Sequence, residues 1–203
     1  MRIIGGKYKG RRINPPAGFK ARPTTDFARE ALLNILTNRL DFEKVTILDL
    51  FSGTGSMSYE FASRGAAEVH LVEKDSVHVN GIRKIIREFG FENIRPIHID
   101  VKAYLRTCRT KYDMVFADPP YDLSWLKEIP DMVINSGVMK QGAFFILEHP
   151  RNMSFSDHPC FFEHRHYGGV NFSFFRKIEG ESGEEEKGRC QLMRILAIRI
   201  FFL

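Results

Sequence analysis

Cysteine is scarce in this sequence, and no spacing gives it a structural task. Cys108, Cys160 and Cys190 lie far apart and form no C-x-x-C pair, which excludes a disulfide framework and the common zinc spacings. A reducing, cytoplasmic setting is expected. No apolar run reaches membrane-spanning length, and the opening MRIIGGKYKGRR lacks the apolar stretch of a secretory signal, so a soluble protein without a membrane partner is expected. Acidic residues are sparse at the N-terminus. Residues 1–30 hold eight basic side chains, Arg2, Lys7, Lys9, Arg11, Arg12, Lys20, Arg22 and Arg29, against Asp26 and Glu30. This local excess is larger than the +5 of the whole chain, so the remainder is close to neutral. Glycines and Tyr8 interleave the cations, a pattern that suits a mobile arm tracking phosphates.

What is present is a regular alternation. After TTDFAREALLNILTNRL, where Thr25 or Asp26 can cap a helix, VTILDLF, EVHLVEK, IRPIHID, YDMVFA and GAFFILEH read as five strands. Helical patterns over 56–64, 76–89, 101–108 and 123–136 separate them. This order predicts an α/β fold, a Rossmann-like, mostly parallel, doubly wound sheet. FFEHRHYGGVNFSFFRKI turns at Gly168 and Gly169 and predicts an antiparallel C-terminal hairpin at a sheet edge. Three segments follow: a basic arm and first helix over 1–40, one domain over 41–178, and an acidic linker with an apolar tail over 179–203.

The stretch FADPPYD carries the chemistry. Two successive prolines offer no backbone N–H, so the apolar strand 112–117 must stop and leave Asp118 at its carboxyl end, where open α/β sheets bind ligands. In LDLFSGTGSMS, Gly53 and Gly55 let a ligand approach the backbone between a strand and a helix, and Glu73 ends the next strand. Nicotinamide enzymes share that spacing. Here, however, Ser58 occupies the third glycine position and Asp49 precedes the turn, which repels phosphate and welcomes an ammonium group. The implied ligand is an adenosine bearing a cationic amino-acid part, S-adenosylmethionine. His164, His166 and Cys160 supply no fourth metal ligand, and no metal is expected. His149 follows the fifth strand and receives no role.

In this order ILDLFSGTGS, LVEKD, IHIDV and DPPY resemble the class I methyltransferases that modify amino groups. The resemblance implies that Asp49, Gly53 and Gly55 hold the methionine part, Glu73 the ribose and Asp100 the adenine amine. It implies that Asp118, Pro119, Pro120 and Tyr121 form the catalytic tetrapeptide. RIIGGKYKGRRI and RPTTDFAREALLNIL are similar to the RsmD group, whose members methylate the N2 amine of a guanine in 16S ribosomal RNA. The match runs from Arg2 to about Lys177 and departs at Phe27, where a basic residue is usual. It implies RNA contacts by Lys7, Lys9, Arg11, Arg12 and Arg22, a monomeric enzyme, and a substrate that is naked 16S rRNA or a small-subunit particle. Two other readings use the same motifs: methylation of DNA adenine or protein glutamine, and a catalytically silent RNA-binding assembly factor.

Overall fold

A computed structural model of the chain describes residues 1–14 and 26–176. Five strands lie parallel: β1 (Thr46–Leu50), β2 (Glu68–Glu73), β3 (Ile94–His98), β4 (Tyr112–Ala117) and β5 (Met139–His149). The hairpin of β6 (Phe161–Tyr167) and β7 (Val170–Arg176) adds antiparallel to β5. The sheet order is β3-β2-β1-β4-β5-β7-β6, so the winding reverses between β1 and β4. That crevice is where doubly wound sheets bind ligands.

The helices are α1 (Asp26–Arg39), α2 (Ser56–Ser63), α3 (Ser76–Phe89), α4 (Val101–Thr107) and α5 (Ile129–Asn135). They cover both faces, which is why the central strands read as nearly unbroken apolar runs rather than alternating ones. Ile47, Met114, Phe116, Ile146 and Phe172 pack in the layer that includes α1 and α2. Leu48, Leu50, Val115, Phe145 and Leu147 pack in the other, with α4 and α5.

Three expectations are corrected. The helix after the tetrapeptide does not begin at Leu123. The Leu123 N–H donates to the Pro120 carbonyl in a turn, a 3₁₀ turn covers Leu126–Glu128, and α5 starts at Ile129 with Pro130 in its first turn. β5 begins at Met139 rather than Gly142, because an irregularity in its pairing with β4 lets the strand continue through a glycine at φ 73°.

The third correction concerns the N-terminal segment, which is docked rather than a mobile arm. Ile3 donates to the Arg11 carbonyl and Ile13 to that of Met1, closing a small hairpin whose Ile3 and Ile13 side chains are buried in the core. Lys7 N–H donates to the Ser63 carbonyl and Ile4 N–H to Glu60 Oε1. Arg29, almost fully buried, donates to the Arg2 carbonyl at 3.0 Å and lies 3.6 Å from Glu60. Gly6 is required at its position, since a Cβ there would meet the Ser63 carbonyl oxygen at 1.9 Å. Nor is α1 separate from the main domain: it packs on β6, with Arg39 paired to Glu163 at 2.7 Å. The 179–203 tail, with Thr25 and Arg22, lies outside the described residues. Among the described residues no helix is long and apolar enough to cross a membrane.

Candidate active site

The site begins with the register of β1 and β4. Asp49 pairs with Phe116 and Leu50 with Ala117, so Asp118 emerges just beyond the end of β1. Ala117 in turn pairs with Leu147, which sets Glu148 of β5 beside Asp118. Side chains alternate between faces along a strand, so Asp49, Asp118 and Glu148 share the face of Phe116 and Ile146. Three neighbouring strands thus deliver three carboxylates to one face of one sheet edge.

Asp49 is 1% exposed and accepts a hydrogen bond from Ser58 Oγ at 2.5 Å. Burial pushes its pKa up to about 7; the Ser58 hydrogen bond opposes this, and the negative charges of Asp118 and Glu73 add to it. The same position that lacks the third glycine therefore supplies a partner for the buried acid. Asp49, Glu73 and Asp118 thus stand close enough to act on one another, a concentration of negative charge suited to a cationic ligand.

The loop after β1 is held in a form that needs its glycines. Phe51, Gly53 and Gly55 have φ of 59°, 54° and 79°. A Cβ on Gly55 would come within 2.9 Å of the Tyr59 ring. For Phe51, a non-glycine residue, the left-handed conformation costs roughly 1–2 kcal/mol. Its ring packs on Trp125, over which Lys102 is poised at 4.2 Å. Glu73 closes the loop: Oε2 accepts from Gly53 N–H at 2.8 Å and Oε1 from Asp75 N–H at 2.8 Å. A carboxylate has about four acceptor positions, so these two bonds leave capacity for ribose hydroxyls. Asp100 caps α4 through Ala103 N–H at 3.2 Å and stays exposed at the end of β3, which is tied to β2 by Ile99 N–H to the Glu73 carbonyl. The residues present therefore fit S-adenosylmethionine: a glycine cradle, a buried acid of raised pKa, and two acids at adjoining strand ends.

At the tetrapeptide Pro119 is buried and Pro120 exposed. Tyr121, 37% exposed, donates from its hydroxyl to Glu148 Oε1 at 3.1 Å, and Glu148 is 4% exposed. The sequence reading missed Glu148. A charged residue ending an otherwise apolar strand one position before His149 was the available signal. His149 does not reach this site. It is buried on the opposite face, bonded to Ser173 Oγ at 2.8 Å and to the Pro150 carbonyl, and burial lowers its pKa.

Of the predicted basic residues, the described ones, Lys7, Lys9, Arg11 and Arg12, are not brought to this edge. The hairpin tip bearing Lys7, Lys9 and Arg11 sits against Ser63 and, through Tyr8 Oη at 3.3 Å, against Gly90. These are the ends of α2 and α3 at the amino edge of the sheet, as Ala67 N–H bonding to the Val45 carbonyl shows. Arg11 stacks over the rings of Tyr8 and Phe89 at 5.3 and 5.5 Å, while Arg12 is exposed beside Arg2. Among the described residues no group of His, Cys, Asp and Glu could hold a metal; His164 and His166 stack side by side on β6.

Comparison with known proteins agrees with this architecture. The family model described as conserved hypothetical protein 95 matches residues 1–176. Ribosomal RNA small subunit methyltransferase D of Buchnera aphidicola subsp. Baizongia pistaciae is 30% identical over 154 residues, 76% of this chain and 78% of that one. The structure of the putative methyltransferase yhhF from Escherichia coli superposes with a TM-score of 0.77 at 27% identity, covering 89% of this chain and 99% of that one. The Thermus thermophilus 16S rRNA N2 G1207 methyltransferase, solved with AdoMet and guanosine, shares the fold at 22% identity and a TM-score of 0.63, over 79% and 45% of the two chains. This chain, carrying a docked basic hairpin and a DPPY strand end on a class I methyltransferase sheet, belongs to the conserved hypothetical protein 95 family, that of the RsmD-type ribosomal RNA methyltransferases.

Proposed function

We propose that the protein transfers a methyl group from S-adenosylmethionine to the exocyclic N2 amine of a guanine in 16S ribosomal RNA. The observation that carries this reading is the register placing Asp118 and its rigid prolines next to buried Asp49 and the glycine loop. The RsmD relatives, named as small-subunit rRNA methyltransferases, support RNA as the substrate over DNA adenine or protein glutamine. Intact donor-binding positions favour an enzyme over a silent assembly factor.

Bound S-adenosylmethionine would supply a methyl group already activated on a sulfonium. Asp49 stands where it can face the ligand's cationic part, the Gly53 and Gly55 backbone admits it closely, Glu73 takes the ribose hydroxyls, and Asp100 takes the adenine amine. The chain's remaining task is to prepare a poor nucleophile, since the guanine amine is delocalised into its ring. Asp118 and a main-chain carbonyl accept its two N–H bonds, aligning the lone pair with the methyl carbon. The Pro120 carbonyl already accepts from Leu123 N–H, which favours the Pro119 carbonyl as this second acceptor. The exposed Tyr121 ring offers the extruded base a stacking surface, worth roughly 1–3 kcal/mol, against an unstacking cost of a few kcal/mol. A nitrogen–carbon bond forms as the sulfur–carbon bond breaks, and the proton made acidic by methylation leaves to Asp118 or to water.

Mass spectrometry of 16S rRNA incubated with isotopically labelled methyl donor tests the assignment. Wild-type protein is expected to add one label to a guanine N2. Asp118→Ala is expected to keep methyl-donor affinity and lose turnover; equal turnover would overturn the proposed chemistry.

A further inference from the structure

A cleft of about 370 Å³ opens beside the carboxyl end of β5, on the face opposite Asp49, Asp118 and Glu148. Arg151, Ser154, Ser156, His164, His166 and Asn171 line it. It lies at the same carboxyl edge as the candidate active site, because Glu148 pairs with Phe172 and the next pair along is His149 with Asn171. His166 pairs with Asn171 from the other side, which places the two on one face.

Asn171 is the central observation. It is 5% exposed, and its Oδ1 is held by His164 Nε2 at 3.2 Å, which leaves the amide nitrogen as the other functional atom. That Nδ2 is buried and has no hydrogen-bond partner. A buried donor left unmatched is unfavourable and calls for an acceptor in the cleft. Around it stand a guanidinium, two imidazoles and the Ser154 and Ser156 hydroxyls, whose oxygens are 3.1 Å apart, Ser156 Oγ also lying 3.4 Å from the Asp157 carboxylate. Such a set of donors suits negatively charged oxygens, above all those of a phosphate.

We propose that this cleft binds a backbone phosphate of the RNA strand that carries the target guanine; this rests on the reading of the chain as an rRNA methyltransferase. The charge layout favours RNA over a free anion. Glu73, Asp118 and Glu148 make the edge around the reacting base repulsive to a polyanion. The cations at the N-terminal hairpin tip lie at the opposite edge, about one α2 length or ~12 Å away. Among the described residues the hairpin cations lie too far to neutralise a strand at the catalytic edge, and the cleft supplies an anion site on that edge.

The test compares full-length wild type with Arg151→Ala, with Arg151→Ala/His166→Ala and with Asn171→Leu. Binding of a single-stranded RNA carrying the target guanine is measured across a salt series, with titrations of S-adenosylmethionine and of inorganic phosphate alongside. The surface variants keep the question answerable if the buried Asn171 change unfolds the protein. Arg151→Ala is expected to weaken RNA binding about three- to tenfold at moderate salt and to flatten the slope of log affinity against log salt by about 0.7. Affinity for S-adenosylmethionine is expected to stay unchanged. Unaltered RNA slope and affinity in the surface variants would overturn the proposal. So would tight inorganic-phosphate binding that Arg151→Ala abolishes while RNA binding is untouched, since that marks a small-anion site. If the slope falls as expected but the wild type methylates no RNA, the cleft assignment stands and the enzymatic reading fails alone.

Discussion

The Tyr121 hydroxyl donates to Glu148 Oε1 at 3.1 Å, tying the tetrapeptide after β4 to the buried carboxyl end of β5. The bond couples a ring proposed to stack on the substrate with a carboxylate that shares the face of Asp118, so the two ends of that pair can be tested separately. Tyr121→Phe keeps the ring and removes the hydroxyl, and is expected to lower kcat about three- to tenfold with KM for RNA little changed. Tyr121→Ala also removes the stacking surface and is expected to raise KM for RNA by roughly 5- to 150-fold, the equivalent of 1–3 kcal/mol. Steady-state kinetics with both variants separate the contributions; identical effects would mean that the ring does not stack on substrate.

With its raised pKa, Asp49 is expected to make methyl-donor binding depend on pH. Its pKa is raised from the ordinary carboxylate value to about 7, so the folded protein holds a proton there that the unfolded chain releases near pH 4. The associated stability is fully present below about pH 4 and is lost as pH rises through about 7. A cationic ligand has the opposite preference, because it favours ionised Asp49. Affinity for S-adenosylmethionine is expected to rise by up to about tenfold per pH unit toward pH 7 and then level off. Calorimetric titration between pH 5.5 and 8 reads this directly, and Asp49→Asn should show weak, pH-independent binding.

Glu73 holds the loop and is proposed to take the ribose hydroxyls, two roles that one substitution can divide. Glu73→Ala leaves the N–H groups of Gly53 and Asp75 without their acceptor, and each charge-assisted bond contributes roughly 1.5–3 kcal/mol. Both the melting temperature and methyl-donor affinity are expected to fall. Glu73→Gln retains shape and one acceptor oxygen, so thermal stability should recover more than affinity does. Equal recovery of both would limit Glu73 to holding the loop.

The docked N-terminal hairpin predicts that truncation harms the fold. Ile13→Ala opens a hole in the core and should destabilise by about 2–5 kcal/mol, readable in a denaturant melt. Removal of residues 1–14 also strips Glu60 and Arg29 of backbone partners and should be worse. Lys7→Ala/Lys9→Ala touches only exposed cations. It should leave the melt unchanged and flatten the salt dependence of RNA binding by about 1.4 if both side chains meet phosphates. An unaltered slope would confine the hairpin to a structural role.

The chain's alternation of strand and helix was legible because it depends on local pattern. Apolar runs of strand length separated by helical spacing dictate a parallel sheet, and turn chemistry at Gly53, Gly55, Pro119 and Pro120 has few solutions. The order of the four motifs was equally visible, since each stands at the carboxyl end of its own strand. Register and docking were not. That Asp118 emerges beside Asp49, and that Glu148 joins them, follows from pairing among β1, β4 and β5, which are separated by dozens of residues. The proton affinity of Asp49 depends on burial and on charges from two other strands, which no local pattern encodes. The basic N-terminus reads as a solvated arm because its cations dominate its composition. Only tertiary packing shows that two isoleucines among them, Ile3 and Ile13, bury themselves and hold the segment in place, carrying its charge to the edge of the sheet away from the chemistry.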